Sequence, residues 1–291
     1  MLEDGTFQKV GEVVGILEKK NPRVAGGYLK VLKDDRGNWA LFAPRDSRIP
    51  RLMIPKNQCP SDFFQHPGHY SNNLFIAKVE EWKNDNNYPL GTLQKFIGKE
   101  GDIEAETEMI LSENGIDYLE EFPKDACEGL PIDDIDSNET SWTIPDSEFS
   151  YRRNFTNNCV FTIDPSTARD LDDALSIEKL SDDSYEIGVH IADVSYFVKE
   201  GMKLDEIARE RCTSVYLVHK VIPMLPRVLC EKLCSLNPGE DKLTFSVVFN
   251  VDQDGEILND RKEIWFGRTI INSCIKLSYE LAQDMIDEPF R

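Results

Sequence analysis

The 291-residue chain has no apolar run approaching the roughly 20 residues that a membrane-spanning helix needs. Its start, Met1-Leu2-Glu3-Asp4, lacks the basic and apolar regions of a secretory signal. A soluble intracellular protein with no membrane partner is therefore expected. Seven cysteines, at 59, 127, 159, 212, 230, 234 and 274, form no Cys-x-x-Cys pair, so neither a zinc knuckle nor a disulfide framework is expected; the reading is reduced core thiols. A calcium loop of the EF-hand kind starting at Asp164 fails too. Its sixth position is Arg169 rather than Gly, and its twelfth is Leu175 rather than Glu.

Positive charge is scarce, with 33 Lys+Arg against 53 Asp+Glu, but the deficit is uneven. Residues 1–100 carry 15 basic against 12 acidic side chains, residues 101–150 carry 1 against 16, and residues 151–291 carry 17 against 25. Only the first segment has a basic surplus. Lys19, Lys20, Arg23, Lys30, Arg45, Arg48 and Arg51 there could follow a nucleic-acid backbone, or they could be ordinary solvated surface.

What the chain does contain begins with a crowded acidic loop. Asp164, Asp170, Asp172 and Asp173 follow the apolar run Cys159-Val160-Phe161-Thr162-Ile163 and precede Ala174-Leu175-Ser176-Ile177. Four carboxylates on one loop repel each other unless a cation lies among them, and hard divalent ions take oxygen ligands and bridge phosphates. A solvated acidic turn in an acidic protein is the competing reading, since Asp is common in turns.

A chain of this length supports about two domains with cores of their own. In the first, residues 10–17, 28–32, 39–43 and 73–79 are short β-branched or aromatic runs separated by turn-rich stretches such as Asn21-Pro22 and Asp34-Asp35-Arg36-Gly37. They predict a small barrel of the OB or cold-shock type, with Trp39 and Phe42 as core rather than base-stacking residues. Residues 102–114 predict a helix with an acid-rich N-terminus, and residues 120–141 an exposed acidic connector. Further on, strands are expected at 185–191, 243–251 and 265–271, and helices at 204–211 and 228–235. Asp252-Gln253-Asp254-Gly255 is expected to reverse the chain between the last two strands. The fold class is α+β. His190, in mid-strand, reads as a hydrogen-bonded structural histidine. The divisions are 1–122 for the barrel with its helical extension, 123–147 for an acidic linker and 148–291 for the second domain.

Six blocks in order carry a resemblance: residues 162–175, 188–195, 213–217, 223–227, 233–237 and 276–279. They closely resemble the RNB catalytic domain of the RNase II family of 3′-to-5′ exoribonucleases, and most of all its eukaryotic cytoplasmic Dis-three-like branch, which works without the exosome and prefers uridine-tailed RNA. The resemblance implies a cold-shock barrel followed by the N-terminal part of a mixed α/β RNB domain. It implies that Asp164, Asp170, Asp172 and Asp173 hold Mg²⁺ or Mn²⁺, with catalysis leaning hardest on Asp172. Tyr216 would stack on a base near the 3′ end, Tyr279 would stand beside the scissile phosphate, and single-stranded RNA would be released as nucleoside 5′-monophosphates. The match covers less than half of a complete RNB domain and leaves out a later arginine of the family and the barrels that enclose its RNA. A catalytically incompetent RNA-binding fragment is the alternative expectation.

Overall fold

Alternating apolar residues on short runs favour strands that bury one face, and the first unit is built from five of them. In the computed structural model, residues 11–288 are described apart from 13, 16, 18–22, 33–37, 84–85, 117–120, 133–139 and 259–263. The chain divides into units Met1–Tyr118 and Leu119–Arg291.

In the first unit, β1 (Val24–Val31), β2 (Trp39–Pro44), β3 (Leu52–Pro55), β4 (Asn73–Val79) and β5 (Gly91–Lys99) pair in the order β3-β2-β1-β4-β5. A parallel bridge between Met53 and Leu90 brings β3 to the start of β5 and closes the barrel. The interior holds Ala25, Leu29, Phe42, Leu52, Ile54, Phe63 and Phe75. Phe42 is buried as expected, while Trp39 is half-buried. Helix α1 (Ile103–Glu113) starts where predicted: the Asp102 carboxylate accepts from the amides of Glu104 and Ala105, at 3.0 and 3.2 Å. Its Ala105 and Met109 pack on Leu74 and Ile76. Gly26 permits that contact, since a Cβ there would lie 2.4 Å from the Met109 sulfur.

Two expectations for this unit change. The described residues of the run 10–17 form no strand, and Val14 and Leu17 are fully exposed, because the five strands close without a sixth. Strands β3 and β5 escaped notice because one is short and ends in Pro55, while the other alternates poorly and pairs with β4 through two register shifts. Lys19, Lys20 and the turn at Asp34-Asp35-Arg36-Gly37 lie outside the described residues. Arg45 and Arg48 are ion-paired with Glu106 and Asp46, at 2.5 and 2.6 Å, whereas Arg23, Lys30 and Arg51 are exposed.

The second unit is one seven-stranded sheet with helices on it. Its strands are β6 (Arg153–Phe155), β7 (Cys159–Asp164), β8 (Asp173–Ser181), β9 (Ser184–Ala192), β12 (Asp241–Asp252), β13 (Trp265–Asn272) and β14 (Ile275–Ser278), and a separate ribbon pairs β10 (Val215–Tyr216) with β11 (Val221–Ile222). The order is β14-β7-β8-β9-β12-β13-β6, antiparallel in the middle and parallel in the two outermost pairs. Around it lie α2 (Asp146–Phe149), α3 (Val194–Phe197), α4 (Lys203–Arg211), a π-helical turn (Val228–Leu233) and α5 (Tyr279–Asp287). Val160, Ala174, Ala192, Val248 and Ile271 of the sheet meet Phe197, Leu204, Leu229, Leu233 and Leu236 in the core. Gly255, at φ +83°, does serve a reversal, but the chain folds back on β12 through Asp252 N to Glu256 O (3.0 Å) and Leu258 N to Asn250 O (2.9 Å) before β13 begins.

The acidic stretch 120–141 is not wholly exposed where it is described. Ala126, Cys127 and Leu130 are buried, Phe122, Ile132 and Trp142 pack on the second core, and the Arg211 guanidinium stands 4.0 Å over the Phe122 ring. Apolar residues spaced among the acids are enough to anchor it. The cysteine reading also changes: all seven are free, but Cys159, Cys212 and Cys274 are exposed rather than core.

Candidate active site

Strand β7 ends at Asp164 and β8 begins at Asp173, so the acidic loop spans the end of one adjacent strand pair. Such a loop is held by backbone bonds, and every tie here comes from a different part of the unit. Leu171, itself buried, donates its amide to Ser235 Oγ at 3.1 Å, and its carbonyl accepts from Leu236 N at 2.9 Å. Ser235 Oγ also donates to Arg169 O at 2.9 Å, and Asp172 O accepts from Ala192 N at 2.9 Å. Lys276 Nζ closes the other half by donating to Ala168 O (2.6 Å) and Ser166 O (3.3 Å). Leu171 and these clamps fix the backbone that carries the four carboxylates.

The electrostatics show that the acids feel one another. Burial first, then the charges of Asp173 and Asp170, push the Asp164 carboxyl above its usual range against the opposing Thr162 hydroxyl and Lys276 ammonium. Its Oδ2 atom is buried without a hydrogen-bond partner. Asp172 keeps contact with solvent, yet the protein crowded around its carboxyl, and then Asp170, Asp173 and Asp164, raise it as well. Asp170 is held differently, since the Tyr216 hydroxyl on β10 donates to its Oδ2 at 3.0 Å. Partial burial of that hydroxyl, followed by the bond to Asp170, pushes Tyr216 up to about 12, while its ring stays largely exposed.

Tyr279 arrives by a route hidden in the sequence. Strand β14 runs parallel to β7 with Ser278 opposite Asp164, so the next residue emerges at the same sheet end as the acidic loop. Ser278 Oγ caps α5 by accepting from Leu281 N at 3.1 Å, and Tyr279, the first helical residue, is exposed. A cleft of about 470 Å³ opens between the acidic loop and the β10–β11 ribbon, lined by Pro165, Arg169, Asp170, Tyr216, His219, Lys220 and Arg227 among others. Asp170, the exposed Tyr216 ring and cationic side chains thus share one opening, whose lining does not include Asp164, Asp172, Asp173 or Tyr279.

Hard oxygen donors with raised carboxyls and an orphaned buried oxygen are the donor set a divalent cation takes. Among the described residues, no three carboxylate, imidazole or thiol groups converge on a single point as they stand. The donor set fits such an ion in kind, and Asp164 and Asp172 are the members whose charge is least well accommodated without one.

His190 is not part of this opening. It is fully buried, with Nδ1 2.7 Å from Ser246 Oγ and Nε2 2.9 Å from Ser176 Oγ, and burial followed by Arg153 lowers it to about 4. Ser246 continues to Thr269 and Thr244 through buried hydroxyl contacts. Beside this network, Arg152 is wholly buried; it binds Glu148 Oε2 at 2.6 Å and Asp193 Oδ2 at 2.8 Å. Burial opposes ionisation of Asp193, but Ser195 and Arg152 hold its carboxyl below the usual range. Asp193 follows the residue that bonds Asp172 O, so the ion pair braces the strand end behind the acids. Ser235, Lys276 and Arg152 escaped sequence reasoning as individual residues, although the first two lie in the quoted blocks; a buried arginine has no signature in a linear pattern.

Comparison with known proteins completes the picture. Residues 152–291 match the RNB domain, and residues 39–115 match the Dis3-like cold-shock domain 2. Its second unit resembles the RNB domain and its first the cold-shock domain of Dis3-like proteins. It is 53% identical over 290 residues to DIS3-like exonuclease 2 of Xenopus tropicalis, covering 98% of this chain and 34% of that protein. The chain thus spans about a third of the length of the curated relatives it matches. In three dimensions it is similar to the yeast pseudonuclease Ssd1, with a TM-score of 0.77, 26% identity, and coverage of 97% of this chain and 34% of that one. It also shares its fold with Mycoplasma genitalium RNase R in complex with double-stranded RNA, at a TM-score of 0.74 and 23% identity, over 97% of this chain and 45% of the other.

Proposed function

We propose that this chain carries the catalytic acids of a 3′-to-5′ exoribonuclease that shortens single-stranded RNA processively to nucleoside 5′-monophosphates. The observation that carries the reading is the meeting of four aspartates, Tyr216 and Tyr279 at one sheet end, with Tyr216 bonded directly to Asp170. Asp164, Asp170, Asp172 and Asp173 would hold Mg²⁺ or Mn²⁺, which when bound lowers the pKa of a coordinated water and offsets phosphate charge. The exposed Tyr216 ring is free on its faces to stack on a base, a contact indifferent to sequence. Arg169, Lys220 and Arg227 line the same cleft and offer positive charge to the RNA backbone. Tyr279, which follows the residue paired with Asp164, would touch the phosphate being cleaved, and Lys276 would hold the loop as the strand advances. We extend the reading, by likeness to the same branch, to oligouridylated RNA as the preferred substrate, to action without the exosome and to a cytoplasmic setting.

A second reading, binding without turnover, is favoured by one observation: no three ligating groups converge among the described residues. The likeness to a pseudonuclease supports the absence of turnover in that reading. Incubation of the chain with 5′-labelled oligouridine, in Mg²⁺ or EDTA and beside Asp172→Asn, separates the two. Ladder-like shortening from the 3′ end that needs both the metal and Asp172 supports hydrolysis, with a loss on the order of 10²–10⁴-fold in the variant. RNA that is retained but never shortened establishes the binding reading.

A further inference from the structure

The edge strand β14 is held to the sheet by a four-residue parallel ladder with β7, from Ile275 opposite Phe161 to Ser278 opposite Asp164. One end of that ladder delivers Asp164 and Tyr279. The other end carries two thiols. Cys274 donates both its amide and its Sγ to Val160 O, at 2.8 and 2.9 Å, which seats it beside the residue that follows Cys159. Cys159 and Cys274 thus stand on neighbouring chain segments one residue out of register, and both residues are exposed. The other cysteines are placed differently. Cys127 and Cys234 are buried, Cys59 and Cys230 are half-buried, and the exposed Cys212 bonds Arg209 O.

We propose that Cys159 and Cys274 are a modification site, a vicinal dithiol that two-electron oxidants of the peroxide class convert reversibly to a disulfide stapling β14 to β7. The chemistry balances within the pair. One thiolate attacks a peroxide oxygen, the O–O bond breaks, and a sulfenic acid and water result; the second thiol then displaces the hydroxyl, forming the S–S bond and a second water. Two thiols and one hydrogen peroxide give one disulfide and two waters, and dithiothreitol reverses the change. Neighbouring strands about 4.8 Å apart with a one-residue offset place the two Cα atoms about 6 Å apart, inside the range a disulfide spans. The inference is independent of whether the chain hydrolyses RNA.

The consequence lies in what the bond encloses. Residues 159–274 contain the acidic loop, the ribbon and every central strand, so closing them restricts the unfolded chain over a long loop. An edge strand with a neighbour on one side only is also the part of a sheet most prone to fray. Oxidation is therefore expected to stabilise the second unit and to keep Lys276 and Tyr279 in register with Asp164.

The test is chemical and uses the whole chain. After hydrogen peroxide, remaining thiols are alkylated with iodoacetamide and the digest is read by mass spectrometry. The expected result is five alkylated cysteines instead of seven. A peptide pair joined through Cys159 and Cys274 should account for the difference, together with a melting temperature raised by several degrees that dithiothreitol restores. Cys159→Ser and Cys274→Ser should each abolish the link and the shift, and Cys212→Ser should leave both intact. Full alkylation of Cys159 and Cys274 after peroxide, over-oxidation without a link, or a link through other cysteines would each overturn the proposal.

Discussion

The two units bury different kinds of material. The barrel interior is hydrocarbon, with Phe42, Leu52, Ile54, Phe63 and Phe75 at its centre. The core-facing side of the seven-stranded sheet instead mixes Val160, Ala174 and Val248 with Thr162, Ser176, His190, Thr244, Ser246 and Thr269, flanked by the buried Arg152 ion pairs. A hydrocarbon core is stable through contact area and is indifferent to protonation. A polar core holds only while each group keeps its partner and its charge state, because an unpaired buried polar group costs free energy on the scale of a lost hydrogen bond or more. That rigidity has a use here: the polar layer ends at Asp193 and Ala192, directly behind the acidic loop.

The sharpest way to break the contrast is a pair of core changes. Arg152→Met leaves Glu148 and Asp193 with only Arg268, 3.9 Å from Asp193, and should destabilise the second unit by about 3–5 kcal/mol. Phe42→Ala should cost the barrel a similar amount, about 3–5 kcal/mol, by leaving a cavity. Tryptophan fluorescence in urea reads each unit, since Trp39 and Trp82 lie in the first and Trp142 and Trp265 in the second. The comparison fails if either variant shifts the wrong unit's transition.

Acid should separate the units next. The His190 pKa is depressed in the fold, so the neutral ring contributes stability that is complete above its ordinary value of 6.5 and is lost as the pH falls toward about 4. The second unit should weaken by up to about 3 kcal/mol across that window. His190→Gln should flatten the dependence, whereas the barrel, whose His66 and His69 are exposed, should show none of it. Urea midpoints measured at pH 7, 6, 5 and 4 would decide.

Smaller effects belong to the site. Tyr216→Ala should weaken binding of oligouridine by about 1–3 kcal/mol, and Tyr216→Phe by less, since it keeps the ring and loses only the bond to Asp170. Fluorescence anisotropy with a labelled oligonucleotide would show whether the ring or the hydroxyl matters. Of comparable size, Ser235→Ala removes two ties to the acidic loop at a cost of about 1–3 kcal/mol in stability. If the loop is as firmly clamped as its bonds indicate, hydrogen exchange at Leu171 should quicken in that variant.

Legibility followed the same division. The helix at 102–114 was readable because Asp102 is a capping residue ahead of acids, and that reading depends only on neighbours in sequence. Strand 73–79 was readable from its apolar run and strand 185–191 from apolar residues at every second position. The barrel's β3 and β5 were not, since β3 is short and ends in proline while β5 is poorly alternating, and closure of the barrel secures both. The connector was misread because its acids dominate the composition, while the few apolar residues that decide its burial have no period to reveal them.

Within the site, the crowding of Asp164, Asp170, Asp172 and Asp173 was determined by the sequence alone, because all four sit within ten consecutive residues and cannot separate far. The likeness of the six blocks was likewise complete in the linear order. The chain folding in space decided the rest. Tyr216 lies 46 residues from Asp170, and Tyr279 lies 115 residues from Asp164; only the ribbon's placement and the parallel pairing of β14 with β7 bring them together. The clamps from Ser235 and Lys276 and the nearness of Cys159 to Cys274 have the same origin. Hydrogen bonds and ion pairs act over a few ångströms of space, and sequence separation leaves that distance undetermined until the sheet order is set.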